Sequence, residues 1–312
     1  MTSETASKPK LRAQRRPADL VFQAVSTIAG FSILITLGLV AFFLIIQSIP
    51  AMVGELPGPA DNFLDYVIPL AFGTVWAAFL AMLMAVPVSV SIALFITHFA
   101  PRKLASAIGF VIDLLAAVPS VVYGLWGMAV VSGFMRPAYE WLAANASWIP
   151  LFNGTASGTG RTVFTAAIVL AVMVLPIITA LCREVFLQTP TLHEEAALAL
   201  GATRWEMIRM AVLPFGASGI VSSSILGLGR ALGETMAVAM VLSPSVVISF
   251  VIISSSNPAT IASNIALNFP EAHGISVNAL IGSGLVLFVI TVLVNTLARV
   301  LINRNPRTGG AK

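Results

Sequence analysis

Arg230 and Glu234 are the residues best suited to chemistry in an apolar setting, because the run from Phe215 to Leu242 that holds them carries no other charge. An Arg at the centre of a bilayer costs roughly 2.5–3.5 kcal/mol even on a lenient insertion scale, so its presence needs a reason. Ser223, Gly227, Arg230 and Glu234 recur at a 4-3-4 spacing, which predicts one shared helical face. Lipid satisfies none of that face's hydrogen bonds, so it must look at protein or at a wet pathway. A guanidinium donates two parallel hydrogen bonds to an oxyanion, and a nearby carboxylate keeps it from holding the anion too tightly. The alternative is an Arg–Glu pair that only fixes helix packing, although Arg before Glu is the poorer order within one helix. Gly229 and Gly233 add a GxxxG, which permits close helix approach. Asp113 is the other acid inside an apolar stretch, near an end where it reaches water.

Other chemistry is missing. None of the four lysines follows a glycine, so the chain has no phosphate-cradling GxxxxGK[ST] loop, and any ATP hydrolysis belongs to another chain. His193–Glu194 is followed by Glu195, Ala196 and Ala197, so HExxH lacks its second histidine. His98 and His273 belong to loops or span ends on opposite sides, and the lone Cys182 supports neither a disulfide framework nor a multi-cysteine metal site. No catalytic or metal site is expected.

Arg183 to Pro214 forms the longest inner loop. Thr191–Leu192–His193–Glu194 has the form of a capping box, helix formers follow to Leu200, and Gly201 supplies a stop. Thr203–Arg204–Trp205–Glu206 predicts a second capping box, opening a helix that ends near Pro214. With three arginines against four glutamates, the loop is no polybasic lipid-binding segment. Ala196, Ala197 and Ala199 give a small-residue surface that another protein can approach. Composition leaves that reading level with a connector lying on the membrane.

The elements that position these residues are membrane spans. Of 312 residues, 58% are hydrophobic and 10% charged, and the mean hydropathy is +0.95. Soluble chains carry about 25% charged residues, and so few polar groups cannot cover a water-soluble core of this content. A bilayer needs roughly 20 apolar residues per helix. Six stretches qualify: 21–49, 68–96, 107–131, 162–181, 215–242 and 280–302. Val246 to Ile253 is too short to span and reads as a fraying end or re-entrant piece. Of 17 Lys and Arg, fourteen fall on one side: Lys8, Lys10, Arg12, Arg15, Arg16, Arg102, Lys103, Arg183, Arg204, Arg209, Arg299, Arg304, Arg307 and Lys312. Arg136 and Arg161 fall opposite, so both termini are predicted to be cytoplasmic. The outer loops, Gly54 to Pro59 and Phe152 to Gly160, are short, and Trp141 and Trp148 flank the outer face.

Glu195–Ala196–Ala197, Gly201 and Leu213–Pro214 resemble the EAA motif, EAA-x3-G-x9-I-x-L-P, of ABC importer permeases, with Ala211 where the pattern prefers Ile. The segment Gly227–Leu228–Gly229–Arg230–Ala231–Leu232–Gly233–Glu234–Thr235–Met236–Ala237 is similar to the fifth-span signature of Pst-type phosphate permeases, and Pro119–Ser120–Val121–Val122–Tyr123–Gly124 to their third. Thr235–Met236–Ala237 and Ala259 to Pro270 look PstC-like rather than PstA-like.

The resemblance implies an all-α membrane protein of six transmembrane helices with the type I ABC importer permease fold. Its parts would be a tail 1–20, a permease domain 21–302 containing the coupling loop 183–214, and a tail 303–312. It further implies that Glu195, Ala196, Ala197, Gly201, Leu213 and Pro214 couple to a separate ATPase, and that Arg230 and Glu234 belong to the phosphate pathway. The implied partners are a PstA-like sister permease, a PstB-like ATPase dimer that hydrolyses the ATP, a PstS-like extracytoplasmic binding protein and membrane lipid. No nucleic acid, no cofactor of the chain's own and no enzymatic activity are expected, and the expected location is the plasma or inner membrane. A permease for another oxyanion, an ion-coupled secondary transporter using Glu234 or Asp113, and a scaffold are the alternatives.

Overall fold

The computed structural model describes residues 17–54, 56 and 62–303. The basic residues Lys8 to Arg16, Arg304, Arg307 and Lys312, and most of the outer loop Gly54 to Pro59, lie outside the described residues. The chain divides into two compact units, Met1–Ile46 and Gln47–Lys312. Helix α1 (Pro17–Val53) supplies all that is described of the first unit.

The second unit is built from α2 (Phe63–Leu94), α3 (Arg102–Ala116), α4 (Ser120–Trp126), α5 (Ser132–Asn145), α6 (Val163–Leu187), α7 (Thr191–Ala199), α8 (Arg204–Met207), α9 (Leu213–Leu232), α10 (Met236–Val241), α11 (Ile261–Asn268) and α12 (Ile275–Asn303). Single π-type turns continue α2 (Phe95–Phe99), join α4 to α5 (Gly127–Val131) and join α8 to α9 (Ile208–Val212). Five described helices are long and apolar enough to cross a membrane, and a bent pair raises the number to as many as six. The chain is therefore a multi-pass membrane protein.

Helix α6 is the centre of the core. Thr162 caps it by accepting from the Thr165 N–H at 3.1 Å. Its Ala166, Ala167, Leu170, Val174 and Ile178 are buried together with Ala77, Ala78, Ala81 and Ala85 of α2. Small residues let two backbones approach where lipid offers no hydrophobic drive for association. Beside Pro176, the Leu175 carbonyl accepts from the Ser89 hydroxyl of α2 at 3.2 Å.

Two of the expected spans are interrupted. Residues 107–131 straddle a 94° bend between α3 and the α4–α5 segment. Pro119 has no N–H to continue a helix and forces Val118 out of helical backbone. The Tyr123 hydroxyl then donates to the Leu115 carbonyl across the bend at 2.8 Å. Asp113 is exposed on α3. Residues 215–242 break after Leu232, where Gly233, Glu234 and Thr235 separate α9 from α10.

The stretch Val246 to Ile253 is a non-helical loop tied at both ends. Pro244–Ser245 pairs in parallel with Asn257–Pro258, and Ile252 donates to the Leu151 carbonyl at 2.9 Å. Asn257, fully buried, accepts from the Val163 N–H at 3.3 Å and donates to the Val251 carbonyl at 2.6 Å. At Gly73 of α2 a Cβ would stand 2.5 Å from the Ala259 carbonyl oxygen, so this loop needs a glycine beneath it.

Candidate functional site

The break between α9 and α10 decides where the charged pair goes. Helix α9 ends at Leu232, so Glu234 continues no helical face. Its carboxylate is 8% exposed and accepts from the Ala237 N–H at 3.1 Å, capping the first turn of α10. Ser223 and Gly227 are buried toward α6, where a Cβ on Gly227 would lie 2.7 Å from Ile178 Cδ1. Arg230 is exposed on the flank of α9. The predicted common face thus loses Glu234, because the 4-3-4 rule holds only while the helix continues; Ser223, Gly227 and Arg230 all lie within α9, with Arg230 the exposed one of the three. Gly229 has no atom within 4 Å of its Cβ position, so the GxxxG makes no close approach there.

Arg230 borders a cavity of about 700 Å³ between α6, α9 and α12. Ile177, Ser222 and Gly229 line it, together with Asn295 and Arg299 from α12. Among the described residues no carboxylate lies within ion-pair distance of either arginine. In the sequence Arg299 is one of many basic residues near the C-terminus. Its i, i+4 spacing from Asn295 is legible there, but the partner helix is not.

The two segments similar to the third- and fifth-span signatures meet in space. A Cβ on Gly124 would lie 2.9 Å from Ala237 Cα, so α4 and α10 touch backbone to backbone.

The loop of residues 183–214 forms two short helices about a glycine elbow. Gly201 has φ of +86°, the left-handed conformation that ends α7. The second capping box is present in full: Glu206 N–H donates to the Thr203 hydroxyl at 3.3 Å, and the Thr203 N–H donates to the Glu206 carboxylate at 2.8 Å.

The first predicted box does not form. Pro190 takes the cap position of α7 without a side-chain bond. Glu194 turns instead to His98, whose Nε2 is 3.6 Å from Glu194 Oε1. The Thr97 hydroxyl lies 2.6 Å from the other ring nitrogen of His98, which links the end of α2 to α7. Sequence reasoning missed this link, because ninety-five intervening residues separate its two ends.

The expected stop at Pro214 is also corrected. Helical backbone runs from Arg204 to Leu232 without a break. The π turn at Ile208–Val212 lets the Leu213 N–H reach the Ile208 carbonyl, and Pro214, seated in the first turn of α9, needs no donor. Ala197 is buried, whereas Glu195 and Ala196 are exposed beside Leu192, Leu200 and Trp205. Among the described residues no group of three or more His, Cys, Asp or Glu is placed to hold a metal ion.

A bundle of broken apolar helices with a punctuated polar loop before α9 is the build of an importer's membrane subunit. Residues 89–306 match the family described as binding-protein-dependent transport system inner membrane component, and the chain belongs to that family. Within it, the chain is 42% identical to the phosphate transport system permease protein PstC 2 of Mycobacterium tuberculosis, covering 96% of this chain and 98% of that one. It is 39% identical to PstC of Xylella fastidiosa, covering 94% and 93%. Among solved structures, a bacterial alginate ABC transporter in complex with a pentasaccharide-bound periplasmic protein has a similar fold. Its TM-score is 0.62 at 15% identity, covering 94% of this chain and 97% of that one.

Proposed function

We propose that this chain is a PstC-like membrane permease subunit of an ATP-driven importer of inorganic phosphate. The observation that carries the reading is the 42% identity to a phosphate permease across 96% of the chain, with Arg230 bordering a cavity between three helices. A PstA-like sister subunit would complete the pathway, a PstB-like ATPase dimer would drive it, and a PstS-like binding protein would deliver phosphate at the outer face. This subunit contributes no ATPase site and no cofactor of its own.

The reading takes six membrane crossings, with the α3–α5 pair as one bent span, both termini cytoplasmic, and an inner-membrane location. The positive-inside distribution of basic residues supports that orientation. The tails 1–20 and 303–312 then lie in the cytoplasm, flanking the permease domain 21–302.

ATP-driven closure reaches the spans through Glu195, Ala196, Ala197, Gly201, Leu213 and Pro214. The exposed Leu192, Leu200 and Trp205 around Glu195 give an ATPase groove something apolar to bury. Because α8 and α9 form one helical rod through a π turn, a push on the loop is delivered to Arg230 without a flexible joint. Arg230 offsets the anion's charge in mid-membrane. Glu234, fixed at the α10 cap, moderates how tightly the anion is held.

The test is uptake of labelled phosphate in cells lacking other phosphate importers, comparing wild type with Arg230→Gln after the assembled complex has been verified. Loss of uptake in an assembled complex supports the reading. Wild-type import of sulfate and not phosphate would replace the cargo and leave the importer architecture standing.

A further inference from the structure

The cavity beside Arg230 carries a second cation that the proposed pathway does not yet use. Arg299 and Asn295 stand one turn apart on α12, at an i, i+4 spacing that puts both on the same face. Across the void stand Arg230, Gly229 and Ser222 of α9. Two guanidinium groups bordering one concavity repel each other, and among the described residues no carboxylate lies within ion-pair distance of either. Helix packing gains nothing from that arrangement. An anion between them turns the repulsion into two attractions, each through parallel N–H donors.

The surroundings support this choice. A second cavity along the same α9–α12 pair is lined by Phe79, Met82, Leu228, Val294 and Ala298, with no charge. The two helices thus keep one flank apolar and place both arginines on the other. At Gly229 a side chain would meet nothing within 4 Å, so the missing Cβ leaves the wall of the charged cavity open. At about 700 Å³ the space admits a tetrahedral oxyanion with part of its hydration.

We propose that Arg299, positioned with Asn295 on α12, is the second post of a two-arginine oxyanion site whose first post is Arg230. This rests on the reading of Arg230 as a pathway residue. In the proposed orientation Arg299 lies toward the cytoplasmic end of α12, so the anion passes from Arg230 to Arg299 before release. Two moderate posts transport better than one strong one, because an ion must be bound well enough to enter and weakly enough to leave. The chemistry recognised is a phosphate-type oxyanion, supplied by free phosphate or by a lipid headgroup.

The experiment uses the assembled permease–ATPase complex. Arg299→Gln is expected to lower uptake of labelled phosphate by about tenfold, the scale of one lost charge-assisted contact. Arg299→Lys, which keeps the charge and loses the parallel donors, is expected to lower uptake less than Arg299→Gln does. In a second arm, an Asn295→Cys, Cys182→Ser complex is alkylated in lipid nanodiscs. Inorganic phosphate, and not chloride, is expected to slow the reaction equally in anionic and zwitterionic lipid.

Unchanged uptake in Arg299→Gln overturns the proposal, as does equal loss in Arg299→Lys, which would make geometry rather than charge the cause. Protection that follows anionic lipid and ignores inorganic phosphate assigns the cavity to a headgroup and also overturns it. If Arg299→Gln does not assemble, the alkylation arm decides. Failure of the underlying reading is separate, since it shows as normal uptake in Arg230→Gln or as a wild type that imports no phosphate.

Discussion

At the scale of single residues, position relative to a helix end matters more than residue type. Glu234 sits in a three-residue break and uses its carboxylate on the Ala237 N–H. Removing that acceptor leaves a buried N–H unsatisfied, at a cost of about 1–3 kcal/mol. Glu234→Ala is therefore expected to lower the thermal stability of the complex as well as phosphate uptake, while Glu234→Gln, which keeps an acceptor, retains stability. A thermal melt of both variants beside their uptake rates checks this; equal stability in all three forms would remove the capping role. Gly201 differs in kind. Nothing lies within 4 Å of its Cβ position, so a side chain there costs only backbone strain, roughly 1–2 kcal/mol for a left-handed residue. Gly201→Asp is expected to insert and assemble normally, yet to hydrolyse ATP without import, because the elbow between α7 and α8 is re-aimed. Coupled import in that variant would count against the loop's role.

At the scale of elements, the informative contacts are those where two helices touch backbone to backbone. Gly124 places α4 against α10 with 2.9 Å between a would-be Cβ and Ala237 Cα. Gly124→Val overpacks that crossing and is expected to destabilise the subunit by about 1–3 kcal/mol. It should also displace α10 and the Glu234 cap, so uptake falls together with the melting temperature. Gly133, with nothing within 4 Å, is the control: Gly133→Val should leave both unchanged. The same scale explains the interrupted spans. Pro119 and the Gly233–Thr235 break look minor in a run of apolar residues, and hydropathy passes over both. Backbone hydrogen bonding does not, since a missing N–H or a run of non-helical backbone ends the ladder whatever the side chains are.

At the scale of the whole molecule, the proposed function has energy enter from a partner ATPase, a reading that membership of a binding-protein-dependent transport family supports. Import by the assembled complex is expected to persist when an ionophore collapses the proton gradient, provided ATP is maintained. Parallel loss of uptake with the gradient would favour the ion-coupled alternative. The coupling route proposed above is mechanical: the loop ends in α8, α8 runs through a π turn into α9, and α9 carries Arg230.

Much of this was legible without coordinates. Composition required a membrane, the apolar runs located the long helices, and Thr203 with Glu206 and Gly201 marked the loop's punctuation. These are local properties, set by residues within one or two turns of each other, and local physics reads directly from the chain. The structure decided what depends on neighbours distant in sequence. Tertiary packing turned Glu194 from its own helix toward His98, and the end of α9 at Leu232 took Glu234 off the face that Ser223, Gly227 and Arg230 share. Packing also brought Arg299 of α12 to the cavity that Arg230 borders. Spacing along one helix fixes which residues share a face only while that helix lasts; where the helix ends, and what packs beside it, is settled by the fold.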